Sequence, residues 1–265
     1  MTDTKIMFFD IDGTLLSEET KQIPESAIRS IRQARTNGHK MFINTGRCLN
    51  NIDSYILDIG FDGLICACGT HIIYNDQDLL YITQPPEICS IVVNYGLSCH
   101  LDVVFEARTH IGFTPVETLR PSAYELYKSC IDRGFIPDMD ILSKDFFFDK
   151  FVVWIEENSD FPTFLNAVSP YFVCIDRSDS FKEFVPRGYS KASGIQFLLN
   201  KLNIPLNHAY AVGDSNNDLP MLEYVPNSIA MGNSQPVSLF EKVRYVTRSV
   251  EEDGIEHALQ HFHFI

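Results

Sequence analysis

Short apolar runs that stop abruptly at polar, carboxylate-bearing clusters mark both ends of this 265-residue chain, and they restrict its fold more than any other feature. Ile6 to Phe9 breaks at Asp10-Ile11-Asp12-Gly13-Thr14, Met41 to Ile43 at Asn44-Thr45-Gly46-Arg47, and Ala209 to Val212 at Gly213-Asp214-Ser215-Asn216-Asn217-Asp218. Runs without polar alternation read as strands buried on both faces, as in parallel sheets. Pro24 to Asn37 reads as a helix: proline near its start, Ala27, Ile28, Ile31 and Ala34 on one face, Gly38 as the stop. A helix from about Cys48 to Ile59 and a strand at Leu64 to Ala67 extend the alternation. The C-terminal portion repeats it: helix Ser190 to Leu202, strand Ala209 to Val212, helix Asp218 to Tyr224, strand Ser228 to Met231, then Val243 to Val246 and a helix from Glu251 to His261.

Such alternation predicts an α/β fold with a doubly wound, Rossmann-like parallel-sheet core. The middle differs. Pro85-Pro86 and Pro186-Arg187-Gly188 bracket an aromatic-rich stretch with short strands at Val103 to Glu106, Phe151 to Ile155, Tyr171 to Ile175 and Phe181 to Val185. The expected organisation is a core domain made of residues 1–81 and 186–265, with an inserted α/β module at 82–185.

Composition narrows the function. A formal net charge of -14 argues against nucleic acid or an anionic membrane as partner, and a negatively charged substrate needs a local positive site. The seven cysteines are odd in number, scattered and without a C-x-x-C pair, which fits thiols in a reducing compartment better than a disulfide framework or zinc site. Cys66 and Cys68, on a strand, would point to one side without further ligands nearby. No stretch reads as a signal peptide or a membrane span, so a cytoplasmic protein is expected.

In an open parallel sheet, ligands bind at the carboxyl ends of the strands, where these clusters fall. Asp10 and Asp12 stand at i and i+2, so continued strand geometry would lean both carboxylates toward a common site, and two like charges so close need a cation. Asp214 and Asp218 add two more, and a hard, oxygen-only set of this kind suits Mg²⁺, which implies a phosphate-bearing partner. Taken singly, each cluster has a plainer explanation. Asp12-Gly13 makes a turn, Thr45 and Asp214-Ser215 cap helices, and Lys191 is a solvated lysine. All of them together, in this order, are hard to explain that way.

With Asp10-Ile11-Asp12-Gly13-Thr14, Thr45 in Ile-Asn-Thr-Gly-Arg, Lys191 in Gly-Tyr-Ser-Lys-Ala, and Gly213-Asp214-Ser215-Asn216-Asn217-Asp218 in place, the chain resembles the haloacid dehalogenase-like (HAD) phosphohydrolases. Asn217-Asp218-Leu219-Pro220-Met221-Leu222, Ala230-Met231-Gly232-Asn233 and Glu252-Asp253-Gly254-Ile255 are similar to the Cof-type (IIB) sugar-phosphate phosphatase branch. The resemblance implies that Asp10 is a nucleophile forming an aspartyl-phosphate and Asp12 the general acid and base. It implies that Asp10, the main-chain carbonyl of Asp12 and Asp214 hold Mg²⁺, with Asp218 positioning a metal-bound water or Lys191. Thr45, Gly46, Lys191 and Asn217 would bind the phosphate; for Asn217 a helix cap is the competing role. The inserted module would be a cap that closes over the site and contacts the rest of a small phosphate ester.

Departures from the family pattern touch specificity. Cys68-Gly69-Thr70 stands where many relatives carry Asn-Gly-Ala, and Ser215 where glycine is frequent. Arg47 reaches either the substrate or the cap, or is a surface arginine. His110, Arg177 and Lys182 read as solvated, and Phe146-Phe147-Phe148 with Phe151 as core. A phosphotransferase or mutase using the same aspartyl-phosphate is the competing enzyme, and a non-catalytic binding or regulatory protein the competing class.

Overall fold

Runs buried on both sides become the central strands. The computed structural model describes residues 4–135 and 140–265. In chain order it holds β1 (Ile6–Phe9), α1 (Glu25–Thr36), β2 (Lys40–Asn44), α2 (Ser54–Leu57), β3 (Gly63–Cys66), β4 (His71–Tyr74) and β5 (Gln77–Tyr81). Then come α3 (Pro86–Ser98), β6 (Asp102–Glu106), β7 (Ile111–Phe113), α4 (Pro121–Asp132), β8 (Lys150–Trp154), α5 (Phe161–Val168), β9 (Phe172–Ser178) and β10 (Phe181–Pro186). The chain ends with α6 (Lys191–Leu202), β11 (Ala209–Ser215), α7 (Leu219–Tyr224), β12 (Asn227–Gln235), β13 (Tyr245–Val246) and α8 (Gly254–His261). These elements form two compact units: one takes the chain up to Arg47, Ile52–Tyr81 and everything from Tyr189; the other takes Cys48–Asn51 and Ile82–Gly188.

The first unit is an eight-stranded sheet in the order β13-β12-β11-β1-β2-β3-β4-β5. Pairing is parallel from β13 to β3, with Phe8 set between Ala211 and Phe42. Period-2 alternation sends Ile6, Phe8, Phe42 and Ile65 to one face, where Ile195 and Leu198 of α6 and Met221 and Leu222 of α7 cover them. Met7, Phe9, Met41 and Ile43 fill the opposite face and are fully buried. Helices α1 and α8 pack on each other, and α1 lies against β2.

The parallel core is as expected, and β4 and β5 add to its edge an antiparallel hairpin that the apolar runs did not announce. Its two-residue loop, Asn75-Asp76, has φ of 49° and 59°, the left-handed pair that Asn and Asp tolerate in such turns. In place of one helix from Cys48 to Ile59 there is a single turn at Leu49–Asn51 and then the short α2. Asp53 between them is extended (φ -66°, ψ 143°), so the helix restarts at Ser54.

The second unit is a five-stranded antiparallel sheet, β7-β6-β8-β10-β9. Helices α3 and α5 cover one face over Phe105, Phe146, Phe148, Phe151 and Phe184; Phe146, Phe148 and Phe151 are core as expected, and half-buried Phe147 packs against them. Helix α4 covers the other over Val104 and Val152. His110 Nε2 lies 2.8 Å from the Phe147 carbonyl, Lys182 Nζ donates to Asp176 Oδ1 (2.5 Å), and Arg177 Nη1 stands 3.5 Å from Glu183 Oε2. All three are engaged within their own sheet region. Among the described residues no disulfide forms between the seven cysteines, and no helix is long and apolar enough to cross a membrane.

Candidate active site

Because β1 lies between β11 and β2, the residues that follow these three strands meet at one edge of the first unit. Asp10, only 2 % exposed, follows β1 and donates its amide to the Val212 carbonyl (3.1 Å). Lys191, 1 % exposed, opens α6, whose start is fixed by a reciprocal cap: the Ser193 amide donates to Ser190 Oγ (3.1 Å) and the Ser190 amide to Ser193 Oγ (2.9 Å). The Lys191 ammonium donates to Asp10 Oδ1 (2.6 Å) and to Asp218 Oδ1 (2.5 Å). Asp218 Oδ2 accepts the amides of Asp214 (2.9 Å) and Ser215 (3.1 Å). Thr14 Oγ1 donates to Asp214 Oδ1 (2.8 Å).

Carboxylate oxygens of Asp10, Asp214 and Asp218 lie within 4.8 Å of one another, and one ammonium does not balance three such charges. Burial, then Asp218, pushes the Asp10 carboxyl up to about 7, and the same causes push Asp214 up to about 8. Burial alone would lower the Lys191 ammonium, but Asp10 and Asp218 outweigh it and hold it well above the usual lysine range. Both oxygens of Asp218 are committed, one to Lys191 and one to two amides, so Asp10 and Asp214 are the pair left to face a cation. Hard oxygen donors with a deficit of positive charge fit Mg²⁺.

Asp12 does not join them. Its carboxylate forms a two-point pair with Arg47, Nε to Oδ2 at 2.9 Å and Nη2 to Oδ1 at 2.5 Å, and its side chain is 44 % exposed. Strand geometry ends at Phe9 and the chain turns through Gly13 at φ +75°, so the expected convergence of the Asp10 and Asp12 side chains does not occur. Thr45 is buried: its carbonyl accepts the Cys68 amide (3.1 Å) and its Oγ1 the Arg47 amide (3.1 Å), which leaves its own O–H to donate. Gly46 links the two. Asn217 Oδ1 accepts from Ser215 Oγ (2.6 Å), so its amide nitrogen is the end available to a ligand.

Other residues, quoted above only as parts of motifs, also build the site. Fully buried Asn44 donates Nδ2 to the Lys191 carbonyl (3.1 Å), tying the end of β2 to the start of α6. Asn233 donates to the Gly13 carbonyl (2.8 Å) and accepts the Val250 amide (3.1 Å), bracing the turn after β1. Ala67, Cys68 and Gly69 run left-handed (φ 48°, 53° and 95°), so Cys68 leaves the strand on which it was expected to lie beside Cys66. A Cβ on Gly69 would come 2.3 Å from the Ser190 carbonyl oxygen, so glycine is required there.

Comparison with known proteins places this geometry. The family model described as haloacid dehalogenase-like hydrolase matches residues 7–259. "Putative phosphatase YkrA" of Bacillus subtilis (strain 168) is 29% identical over 259 residues, 97% of each chain. The 5-amino-6-(5-phospho-D-ribitylamino)uracil phosphatase YitU of the same organism is 22% identical, over 98% of each chain. A solved structure of the HAD subclass IIB sugar phosphatase BT4131 superimposes with a TM-score of 0.85 at 26% identity, covering 99% of this chain and 100% of that one. With residues 7–259 matched by its family model, the chain belongs to the haloacid dehalogenase-like hydrolase family, alongside relatives named as phosphatases.

Proposed function

We propose that the protein is a Mg²⁺-dependent phosphomonoesterase that hydrolyses a small phosphorylated metabolite, a sugar or related polyol phosphate, through an aspartyl-phosphate on Asp10. The observation that carries this is the buried Asp10 carboxylate, held by Lys191 beside Asp214 and Asp218. An Asp10 oxygen attacks phosphorus in line, the bond from phosphorus to the substrate oxygen breaks, and Asp12 gives its proton to the departing alcohol. Water then attacks the same phosphorus, Asp12 takes the water's proton, and phosphate leaves as the Asp10 carboxylate is restored. Lys191, the Thr45 hydroxyl and the Asn217 amide donate to the phosphoryl oxygens, since catalysis of this kind is mostly positioning and charge neutralisation. Asp10, Asp214 and the Asp12 carbonyl would hold Mg²⁺, which would supply the positive charge that the chain lacks there. This local cluster lets a chain of net charge -14 take an anion. The sugar phosphatase BT4131 and the ribitylamino-uracil phosphatase YitU support the choice of a polyol phosphate.

Asp12→Ala tests the assignment of the acid. Its kcat should fall by about 100-fold or more on an alkyl phosphate, and by clearly less on p-nitrophenyl phosphate, whose leaving group needs little protonation. Equal losses on both would argue against the acid role. Gly13→Ala tests the turn. A Cβ there would sit 2.4 Å from Asp214 Oδ2 at a φ of +75°. The backbone strain alone is about 1–2 kcal/mol, so a lower melting temperature and weaker Mg²⁺ activation are expected. A variant with wild-type Mg²⁺ dependence would show that Asp214 does not depend on this close approach.

A further inference from the structure

Arg47 takes no part in the reaction just derived, yet its side chain is bound more tightly than a surface arginine's. Its guanidinium meets Asp12 edge-on through Nε and Nη2, at 2.9 and 2.5 Å, while Nη1 stands 3.5 Å from Asp53 Oδ2. Its own amide is fixed on Thr45 Oγ1 (3.1 Å). A planar fork that bonds both oxygens sets the plane of a carboxylate as well as its distance, which a point-like lysine ammonium does not do. The result is a division of two aspartates only two residues apart. The Asp10 side chain is 3% exposed and joins Asp214 and Asp218; that of Asp12 is 44% exposed and is held away from them. Turning Asp12 inward would bring a fourth carboxylate onto three that lie together, two of which already share one ammonium.

We propose that Arg47 is the positioning residue for Asp12, keeping its carboxylate on the open side of Asp10, where an alcohol departs, and out of the metal-facing set. This rests on the acid–base role of Asp12 proposed above. Asp53 is the anchor that keeps the fork facing Asp12. An arginine that gripped the phosphoryl group directly would matter equally for every phosphate ester. One that acts through Asp12 matters in proportion to the leaving group's need for a proton.

The test is a double-mutant cycle, with kcat/KM measured on an alkyl phosphate and on p-nitrophenyl phosphate for wild type, Arg47→Ala, Asp12→Ala and the double variant, each checked by its melting temperature. Arg47→Ala should lose about tenfold or more on the alkyl ester and several-fold less on the aryl ester, by its indirect share of general acid catalysis. In the Asp12→Ala background the same change should add no further loss. Arg47→Lys, which keeps the charge without the fork, should fall between wild type and Arg47→Ala, and it carries the test if the alanine variant unfolds. Equal losses on the two esters, or full additivity with Asp12→Ala, would overturn the proposal. If Asp12→Ala itself showed no leaving-group preference, the acid role beneath it would fall first, a result distinct from additivity.

Discussion

Asp10→Asn is expected to lower turnover of an aryl phosphate by at least about 1,000-fold, because removing the proposed nucleophile would eliminate the covalent step rather than weaken it. The amide is nearly the same shape and its oxygen can still accept from Lys191, so the fold should survive. It should even gain stability above neutral pH. Burial and the neighbouring carboxylates raise Asp10 to about 7 from an ordinary 3.8, so the folded chain binds more protons than the unfolded one between about pH 4 and about pH 7. A raised carboxyl therefore makes stability fall as pH rises through that window, and the asparagine removes that slope. Melting curves of the two proteins from about pH 5 to about pH 8 should diverge upward with pH in favour of the variant. Turnover retained by Asp10→Asn would exclude Asp10 as the nucleophile.

Removing divalent metal should have an effect of comparable size. A strong chelator is expected to stop phosphate release, and added Mg²⁺ to restore it. The charge balance that motivates this also sets its pH dependence. With Asp10 near 7 and Asp214 near 8, a proton competes with the cation at each oxygen set, so apparent Mg²⁺ affinity should strengthen from about pH 6 to about pH 8. Without the metal the protein should lose stability over the same range, and saturating Mg²⁺ should flatten that loss by binding only the folded form. Activity undiminished by the chelator, or Mg²⁺ affinity independent of pH, would count against the Asp10 and Asp214 pairing.

Strands β1, β2, β3 and β11 were legible as unbroken apolar runs because strands covered on both faces carry no polar alternation. The hairpin β4-β5 was harder, since Gln77, Asp78 and the exposed edge dilute any apolar pattern, although Asn75-Asp76 is a recognisable two-residue loop. At the site, the clusters at the strand ends pointed to Asp10 and Asp214, and the family resemblance to Lys191. Spacing says nothing about where a side chain goes once the strand ends, so Asp12 was expected beside Asp10 and stands instead on Arg47, 35 residues away. Thr14 with Asp214, at a separation of 200, and Asn233 with Gly13, at 220, are contacts between chain ends for which no local pattern exists. The family resemblance supplied the reaction class; the interior geometry came only with the fold.

The central place of β1 also shapes how the chain comes off the ribosome. Ile6–Phe9 can pair with Lys40–Asn44 early in synthesis, but the other edge of β1 is closed by Ala209–Ser215, made some 200 residues later. Throughout that interval the most apolar strand of the sheet presents an open row of amides and carbonyls, a template for pairing with other chains. The second unit's strands, all within residues 82–188, are emitted during this interval and pair only with one another. The candidate site thus assembles last, when β11 arrives to bring Asp214 and Asp218 alongside Asp10, and a nascent chain truncated before it should aggregate.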